Sequence, residues 1–239
     1  MIHLRQRRST TPGSILSVVL GLFVALTSLN GFAQSNSDGF AYKPPLRGAP
    51  AARVGGGTRG LNANTTLTVL APDHAGYTAQ SRPKLFWYIS GPANMTVEVT
   101  INKPEAVEPV FEHKLKSPAN ASIQSLALAD YGVELQPNTE YEWFVALVPD
   151  QQQRSNDVLS GAVIKRVNLD SGIQNKLNQA SKTEQARLFA ENGLWYDSIE
   201  ALSEQIATQP GNRTLREQRA ELLEQVGLNA AAAFDRQAK

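Results

Sequence analysis

The chain has 239 residues, of which 41% are hydrophobic, and its 23 Lys and Arg residues against 22 Asp and Glu residues give a formal net charge of +1. This composition supports the packed core of one ordinary domain with an appendage, and it excludes a wholly disordered protein. The absence of cysteine excludes disulfides, thiolate metal sites and a cysteine nucleophile. A charge so close to zero gives no electrostatic basis for general nucleic-acid binding, so no nucleic-acid partner is expected.

Residues 1–33 have the anatomy of a secretory signal. A basic start that includes Arg5 precedes the apolar stretch Ile15–Leu29, and small residues stand before a cleavage site that we place after Ala33. The alternative is an uncleaved membrane anchor, although the apolar stretch is short for a membrane span. The signal predicts a periplasmic or secreted bacterial protein with no membrane span once the signal has been removed.

Residues 34–64 are rich in glycine, proline and arginine, a composition that disfavours a helix or a central strand. We therefore predict a disordered linker over this range. Arg47, Arg53 and Arg59 offer an alternative, in which they bind a phosphate group or an anionic polymer. A glycine-rich run without a preceding strand and a following helix is only a weak sign of a phosphate loop.

Residues 65–168 show short strands separated by turn residues, which is the pattern of an all-β sandwich. Thr96–Ile101 shows the pattern most clearly, because apolar and polar residues alternate along it. Phe86 and Tyr88 put bulky apolar groups on the outer face of their strand, which should be exposed to solvent. We therefore expect another part of the protein or a partner to cover that face. The seven predicted strands, the number in a constant-type immunoglobulin domain, are Leu67–Leu70, Lys84–Ser90, Thr96–Ile101, Val110–Lys116, Ile123–Leu128, Glu140–Val148 and Ala162–Val167.

The turn before the sixth predicted strand carries a second signal. Leu135 and Pro137 precede Tyr141, and this order resembles the tyrosine corner of fibronectin type III and related immunoglobulin-like sandwiches. In such a corner the tyrosine hydroxyl bonds to the upstream backbone. The resemblance implies a scaffold and no activity.

Residues 169–228 change to a helical period, and about four short helices are predicted there. Ser181 and Glu184 form a capping box at the start of the second helix. The stretch 187–212 resembles one tetratricopeptide repeat. Because such repeats are stabilised by stacking on neighbours, a single unit is expected to pack on the sandwich. Residues 229–239 are predicted to be a flexible tail.

These segments together predict an α+β protein, in which an immunoglobulin-like antiparallel β-sandwich is followed by a C-terminal bundle of about four short helices. Motifs spread over most of the chain carry a further resemblance: Gly55–Gly60, Leu70–Pro72, Arg82–Pro83, Trp87–Tyr88, Tyr141–Trp143, Arg154–Asp157, Gly161, Arg166, Ala190–Asp197 and Val226–Leu228. They are similar to those of a bacterial exported family known only as a domain of unknown function, number nine hundred and twenty-eight. The family has no assigned activity, so the resemblance implies no catalytic residue and no cofactor.

The loop Arg154, Ser155, Asn156 and Asp157 is a candidate interaction loop, because sandwich domains often bind through loops that the scaffold holds rigidly. Arg154 and Asp157 would present paired charge to a partner. The alternative is an internal turn in which Arg154 fixes the loop and a polar side chain bonds local amides.

Trp195, Tyr196 and Asp197 form the second candidate site. They could be an aromatic platform for a sugar or a peptide. We favour instead an interdomain wedge, with Trp195 and Tyr196 holding the helices to the sandwich and Asp197 capping a helix.

General-base or metal chemistry has few candidates. Asp73, His74 and His113 lie in a loop and a strand without a recognisable metal-ligand spacing. Ser155 with a distant histidine lacks a nucleophile elbow. We therefore expect neither an enzyme nor a metal or cofactor site.

The sequence thus favours an exported, non-catalytic protein that binds an unidentified envelope protein as an adaptor. A carbohydrate- or cell-wall-binding module is the alternative, and it requires exposed aromatic side chains, for which Trp87, Trp143 and Trp195 are the candidates. An envelope hydrolase is a third hypothesis. It requires a cleft that brings Asp73 or a histidine near Ser155 or Asp157.

Overall fold

A computed structural model of the chain describes residues 40–45, 53–54 and 65–238. The predicted signal with its cleavage site at Ala33 lies outside the described residues, as do Arg47 and Arg59. The described chain is α+β, with the strands first and the helices at the C-terminal end, as predicted, but it has five α-helices rather than about four. None of these helices is long and apolar enough to cross a membrane.

Eight strands form two sheets. A three-stranded sheet has the order β1-β3-β6, and a five-stranded sheet has the order β2-β8-β7-β4-β5. The strands are β1 (Leu67–Val69), β2 (Gly76–Thr78), β3 (Lys84–Ile89), β4 (Thr96–Asn102), β5 (Phe111–Lys116), β6 (Ser122–Ala127), β7 (Glu140–Val148) and β8 (Val158–Arg166).

One strand departs from the predicted antiparallel sandwich of seven strands. β2 pairs in parallel with β8, whereas every other named pair of strands is antiparallel. β2 has only three residues, too few to show an alternating period, and it is covered by the helical half of the chain. A Cβ atom added to Gly76 would lie 2.7 Å from the Tyr196 ring, so this strand is specified by tertiary packing rather than by local pattern.

The core lies between the sheets and continues under the helices. Trp87 and Trp143 are fully buried there. Tyr88, which the strand period placed on a wet face, is covered, because its ring packs on Phe234 with the ring centroids 5.3 Å apart. The tyrosine corner is present: the Gln136 amide donates to the Tyr141 hydroxyl at 3.1 Å.

Five helices follow the sandwich: α1 (Ser171–Gln179), α2 (Lys182–Glu191), α3 (Trp195–Thr208), α4 (Arg213–Glu224) and α5 (Asn229–Gln237). The Ser181 side chain caps α2 by accepting from the Glu184 amide. α2 packs on α3 and α4 packs on α5, so the module has two helix pairs rather than the single unit expected.

The predicted flexible tail is largely helix α5. Ala231 and Ala232 are buried, and the Asp235 carboxylate accepts two hydrogen bonds from Arg219 in α4, at 2.7 and 2.6 Å. A run of alanines has high helix propensity but shows no apolar stripe, so its burial against α4 could not be predicted from periodicity.

Candidate peptide-binding groove

A short segment before the sandwich is held against the helices. We call Phe40–Pro45 the strap; it falls inside the range predicted as a disordered linker. Phe40 is only 3% exposed and Tyr42 only 8% exposed. These two aromatic side chains supply the burial that the surrounding glycines and prolines cannot, and the strap is therefore packed.

The main chain of the strap is bound by α2 and by the end of α4. The Gln225 carboxamide donates through Nε2 to the Phe40 carbonyl and accepts at Oε1 from the Tyr42 amide at 2.8 Å. The Lys43 amide donates to the Ala190 carbonyl at 3.1 Å. One side chain thus satisfies a main-chain donor and a main-chain acceptor two residues apart on the strap, which is recognition of backbone rather than of a particular side chain.

The Tyr42 side chain joins the helices to a loop of the sandwich. Its ring meets Trp195 edge-on with the ring centroids 5.0 Å apart, and it stacks on His74 at 5.8 Å. The Tyr42 hydroxyl lies 2.9 Å from His74 Nε2, and His74 Nδ1 lies 3.3 Å from the Asp73 carboxylate. Burial raises the pKa of the Tyr42 phenol, which keeps it neutral and available as a hydrogen-bonding group.

Gly193 forms part of the floor beneath the strap. It has a φ of +76°, and a Cβ atom there would lie 3.0 Å from the Lys43 carbonyl oxygen and 3.5 Å from the Pro45 ring. A side chain at this position would be strained in the left-handed conformation and would also press on the strap. We call the surface formed by His74, Ala190, Gly193, Trp195 and Gln225 the strap groove.

Beside the strap lies an open cavity of about 640 Å³, lined in part by Tyr42, Arg53 and Gln225. Arg53 Nη1 donates to the Ala71 carbonyl at 2.8 Å and to the Val226 carbonyl at 3.2 Å. Arg53 is one of the three arginines on which the anion-binding alternative depends. In the structure its guanidinium group joins the sandwich to the end of α4.

The predicted wedge residues Trp195, Tyr196 and Asp197 are all buried at the start of α3. The Trp195 indole donates to the Leu70 carbonyl at 2.8 Å. The Tyr196 hydroxyl accepts from the Trp143 indole at 2.8 Å and donates to the Val163 carbonyl at 3.2 Å. Trp195 forms one wall of the strap groove. These hydrogen bonds therefore fix that wall to both sheets.

Asp197 accepts at its two carboxylate oxygens from the Ala79 amide, at 3.0 and 3.3 Å. Burial raises the pKa of Asp197 to about 7, against the hydrogen bonds from Ala79 and Thr78, which lower it; the Glu200 carboxylate also raises it. The prediction that Asp197 caps a helix is wrong, because the N-cap of α3 is Leu194 and no side chain caps that end. The acid is instead buried near the joint between α3 and β2, where it accepts from Ala79.

Asp197→Asn is expected to remove a pH dependence of stability. The folded-state pKa lies above the ordinary value near 4, so between about pH 4 and pH 7 the folded chain binds more protons than the unfolded chain. The free energy of unfolding therefore falls as pH rises through this window, and the neutral carboxamide of the variant would not contribute to that fall. Urea unfolding at pH 5 and pH 8 measures it, and parallel pH profiles for the two proteins would contradict the prediction.

The candidate interaction loop lies between β7 and β8, and its arginine points back to the sheet. Arg154 Nε donates to Asp157 at 2.6 Å, and Arg154 Nη2 donates to Glu98 at 2.6 Å. Burial raises the pKa of Glu98, but hydrogen bonds from Lys114 and Arg154 outweigh it and lower the pKa overall. The charges of this loop are thus largely paired with one another and with the sheet.

The carbohydrate hypothesis required exposed aromatic rings, and the hydrolase hypothesis required Asp73 or a histidine near Ser155 or Asp157. Trp87, Trp143 and Trp195 are at most 1% exposed, so none presents a ring to a sugar. His74 is bonded to Tyr42 and Asp73, and His113 packs near Phe111 and Tyr131. Over residues 40–45, 53–54 and 65–238, no group of three His, Cys, Asp or Glu side chains is arranged to hold a metal.

Sequence reasoning missed the strap and Gln225. The Tyr42 amide and the Gln225 side chain are separated by 183 residues, and no local pattern links positions so far apart. The usable signal was the pair Phe40 and Tyr42 in an otherwise aromatic-poor segment. It indicated burial but not the site of burial.

Comparison with known families supports the resemblance drawn from the motifs. A family described as "Domain of Unknown Function (DUF928)" matches residues 54–235. The groove residues all lie within this range, whereas the strap lies before it. No curated protein matches the chain.

Among solved structures, the chain is matched to a multi-domain immunophilin from Arabidopsis thaliana at 8% sequence identity. The match covers 81% of this chain and 98% of that chain, with a TM-score of 0.17. A score this low carries no argument about fold or function.

Proposed function

The chain belongs to the DUF928 family, whose function is unknown, and we propose that it is a non-catalytic adaptor that binds an extended segment of a protein partner in the strap groove. The observation that carries the proposal is the Gln225 carboxamide, which pairs with both the Phe40 carbonyl and the Tyr42 amide. Recognition of this kind suits a peptide ligand, because main-chain bonds provide affinity and side-chain pockets provide specificity.

The chemistry of the strap defines the partner. The strap buries two aromatic side chains two residues apart, Phe40 and Tyr42, and these are followed by Lys43 and two prolines. The partner segment would carry the same order: an aromatic residue, any residue, a second aromatic residue that stacks on His74 and meets Trp195 edge-on, and then a proline-containing stretch. Proline there reduces the conformational entropy lost when the segment is ordered.

The boundaries of the family match support this assignment. The strap lies outside residues 54–235 and fills a groove built from residues within them. The strap would then be a tethered occupant that the partner displaces. Because the N-terminal sequence predicts export, we place the partner in the bacterial envelope.

A labelled peptide with the sequence of residues 38–45 tests the proposal on the full chain. The double variant Phe40→Ala, Tyr42→Ala is expected to bind it in fluorescence anisotropy, because its own strap no longer fills the groove. The unaltered chain should bind much more weakly, since a strap tethered by a short linker competes at an effective concentration on the order of millimolar.

Gln225→Ala in the double variant is expected to weaken binding about tenfold or more, since two hydrogen bonds of about 1 kcal/mol each are lost. Gln237→Ala is the matched control, because it removes an exposed glutamine from α5 away from the groove. Circular dichroism establishes that each variant is folded. The proposal is overturned if the folded double variant binds no peptide, or if Gln225→Ala binds it as well as the Gln237→Ala control.

A further inference from the structure

The two edges of the five-stranded sheet differ. At one edge, β2 is covered by α3, with Ala79 bonded to Asp197. At the other edge, β5 pairs with β4 on one side, and no strand in the described part of the chain pairs with its outer side. An unpaired edge strand presents a row of main-chain donors and acceptors to another chain.

The register of β4 and β5 identifies which of these groups point outward. The Ser117 amide donates to the Met95 carbonyl, so this pair is of the hydrogen-bonded kind. Such pairs recur at every second residue, which directs the backbone groups of Phe111, His113 and Leu115 towards β4. The backbone groups of Glu112 and Lys114 therefore face the open edge.

The side chains of β5 are self-complementary about His113. In an antiparallel pair of two β5 strands centred there, Glu112 of each copy lies opposite Lys114 of the other, and Phe111 lies opposite Leu115. Centring the pair on Glu112 places Glu112 opposite Glu112. Centring it on Lys114 places Lys114 opposite Lys114, although Glu112 then lies opposite Lys116. Like charges directly opposite are destabilising. Of these three registers, the one centred on His113 is the register in which no like charges lie opposite each other.

An aromatic cluster at the same edge would gain from such pairing. The rings of Phe111 and His113 lie 5.1 and 4.5 Å from Tyr131, measured between centroids. Tyr131 is 40% exposed, and few other large hydrophobic side chains in the described part of the chain are exposed to this extent. A second copy at this edge would remove apolar surface of these rings from water.

We propose that two copies of the chain associate through their β5 strands, antiparallel and centred on His113, to form a continuous ten-stranded sheet. The outer face of the junction carries two Glu112–Lys114 pairs, and the inner face carries two Phe111–Leu115 contacts. Charged residues at sheet edges commonly prevent association. Here they select a single partner, a second copy of the same strand.

Charge reversal tests the proposal, with sedimentation velocity as the measurement. The unaltered chain is expected to dimerise, and Glu112→Lys and Lys114→Glu are each expected to be monomeric, since each places two like-charged pairs at the junction. An equimolar mixture of the two variants should form a heterodimer, because every pair is then of opposite charge. The chain carrying both substitutions should dimerise for the same reason.

Cysteine substitution tests the register separately, because the chain has no cysteine of its own. His113→Cys is expected to form a disulfide-linked dimer under mild oxidation, since residues opposite each other in a non-hydrogen-bonded pair have Cα atoms about 4.5 Å apart, within disulfide range. Lys116→Cys is the control, because its partner would be Val110 of the second copy, and it should cross-link poorly.

Thermal melts establish that the variants are folded. Lys114→Glu removes a partner of Glu98, so Glu112→Lys, which lies opposite Thr100, carries the test if Lys114→Glu does not fold. A monomeric unaltered chain at every concentration, an unaffected Glu112→Lys dimer, or equal cross-linking at positions 113 and 116 would each overturn the proposal. None of these outcomes bears on the strap groove.

Discussion

Replacing Asp235 by alanine is expected to lower the free energy of unfolding by about 3–5 kcal/mol, because it leaves the buried Arg219 cation without its partner. Asp235 has no exposed surface and Arg219 is only 5% exposed. Two hydrogen bonds, of 2.7 Å from Nε and 2.6 Å from Nη2, join the guanidinium group to the carboxylate. The pair ties α5 to α4, so its loss should also release the C-terminal helix.

Urea unfolding followed by circular dichroism measures this loss. Asp235→Ala combined with Arg219→Met should be less destabilised than Asp235→Ala alone, because the more deeply buried of the two guanidinium groups that face Asp235 is then absent. Only Arg216, which lies 3.7 Å from the carboxylate, still loses an ion pair. Glu224→Ala is the matched control in the same helix pair: it breaks a solvent-exposed ion pair with Arg236 and should lower the stability far less than Asp235→Ala does. Equal losses for Asp235→Ala and Glu224→Ala would refute the distinction between buried and exposed pairs.

An element could be predicted from the sequence where its pattern of apolar and polar residues repeats over enough positions to be recognised. Thr96–Ile101 alternates over six residues, and β4 covers Thr96–Asn102. Tyr141 was found because a tyrosine corner is encoded within a few residues, and its hydroxyl does accept from the backbone of Gln136. Local rules of spacing and capping were sufficient in these places.

The elements that could not be predicted are short or depend on distant partners. β2 has three residues, and the Tyr196 ring, which comes 120 residues later in the chain, leaves no room for a side chain at its Gly76. α5 is an alanine-rich stretch whose burial depends on Arg219. Their stability is a property of the assembled core, and a local window of sequence does not contain it.

The same distinction between local patterns and distant partners applies to the candidate sites. Trp195, Tyr196 and Asp197 could be singled out because two large aromatic residues after a helix-ending glycine indicate a packing point. The strap groove could not, because it brings together Phe40–Pro45, residues near position 193 and Gln225. Only a folded chain places these segments side by side.

Trp195→Ala is expected to lower the free energy of unfolding by about 3–5 kcal/mol, the cost of truncating a fully buried aromatic side chain. The indole has no exposed surface, and it packs on Tyr42 and donates to the Leu70 carbonyl. Its removal leaves a cavity between the sandwich, α3 and the strap, and a buried carbonyl without its donor. The strap should therefore become more susceptible to limited proteolysis than the rest of the chain.

Trp195→Phe separates the contribution of packing from the contribution of the hydrogen bond to Leu70. The phenyl ring fills most of the space but cannot donate to Leu70, so this variant should lose about 1–3 kcal/mol and should retain a protected strap. Urea unfolding and proteolysis of the three proteins, followed by mass spectrometry of the cleaved sites, give both quantities. If Trp195→Ala costs no more than Trp195→Phe and leaves the strap equally protected, then Trp195 does not hold the strap and the helices to the sandwich.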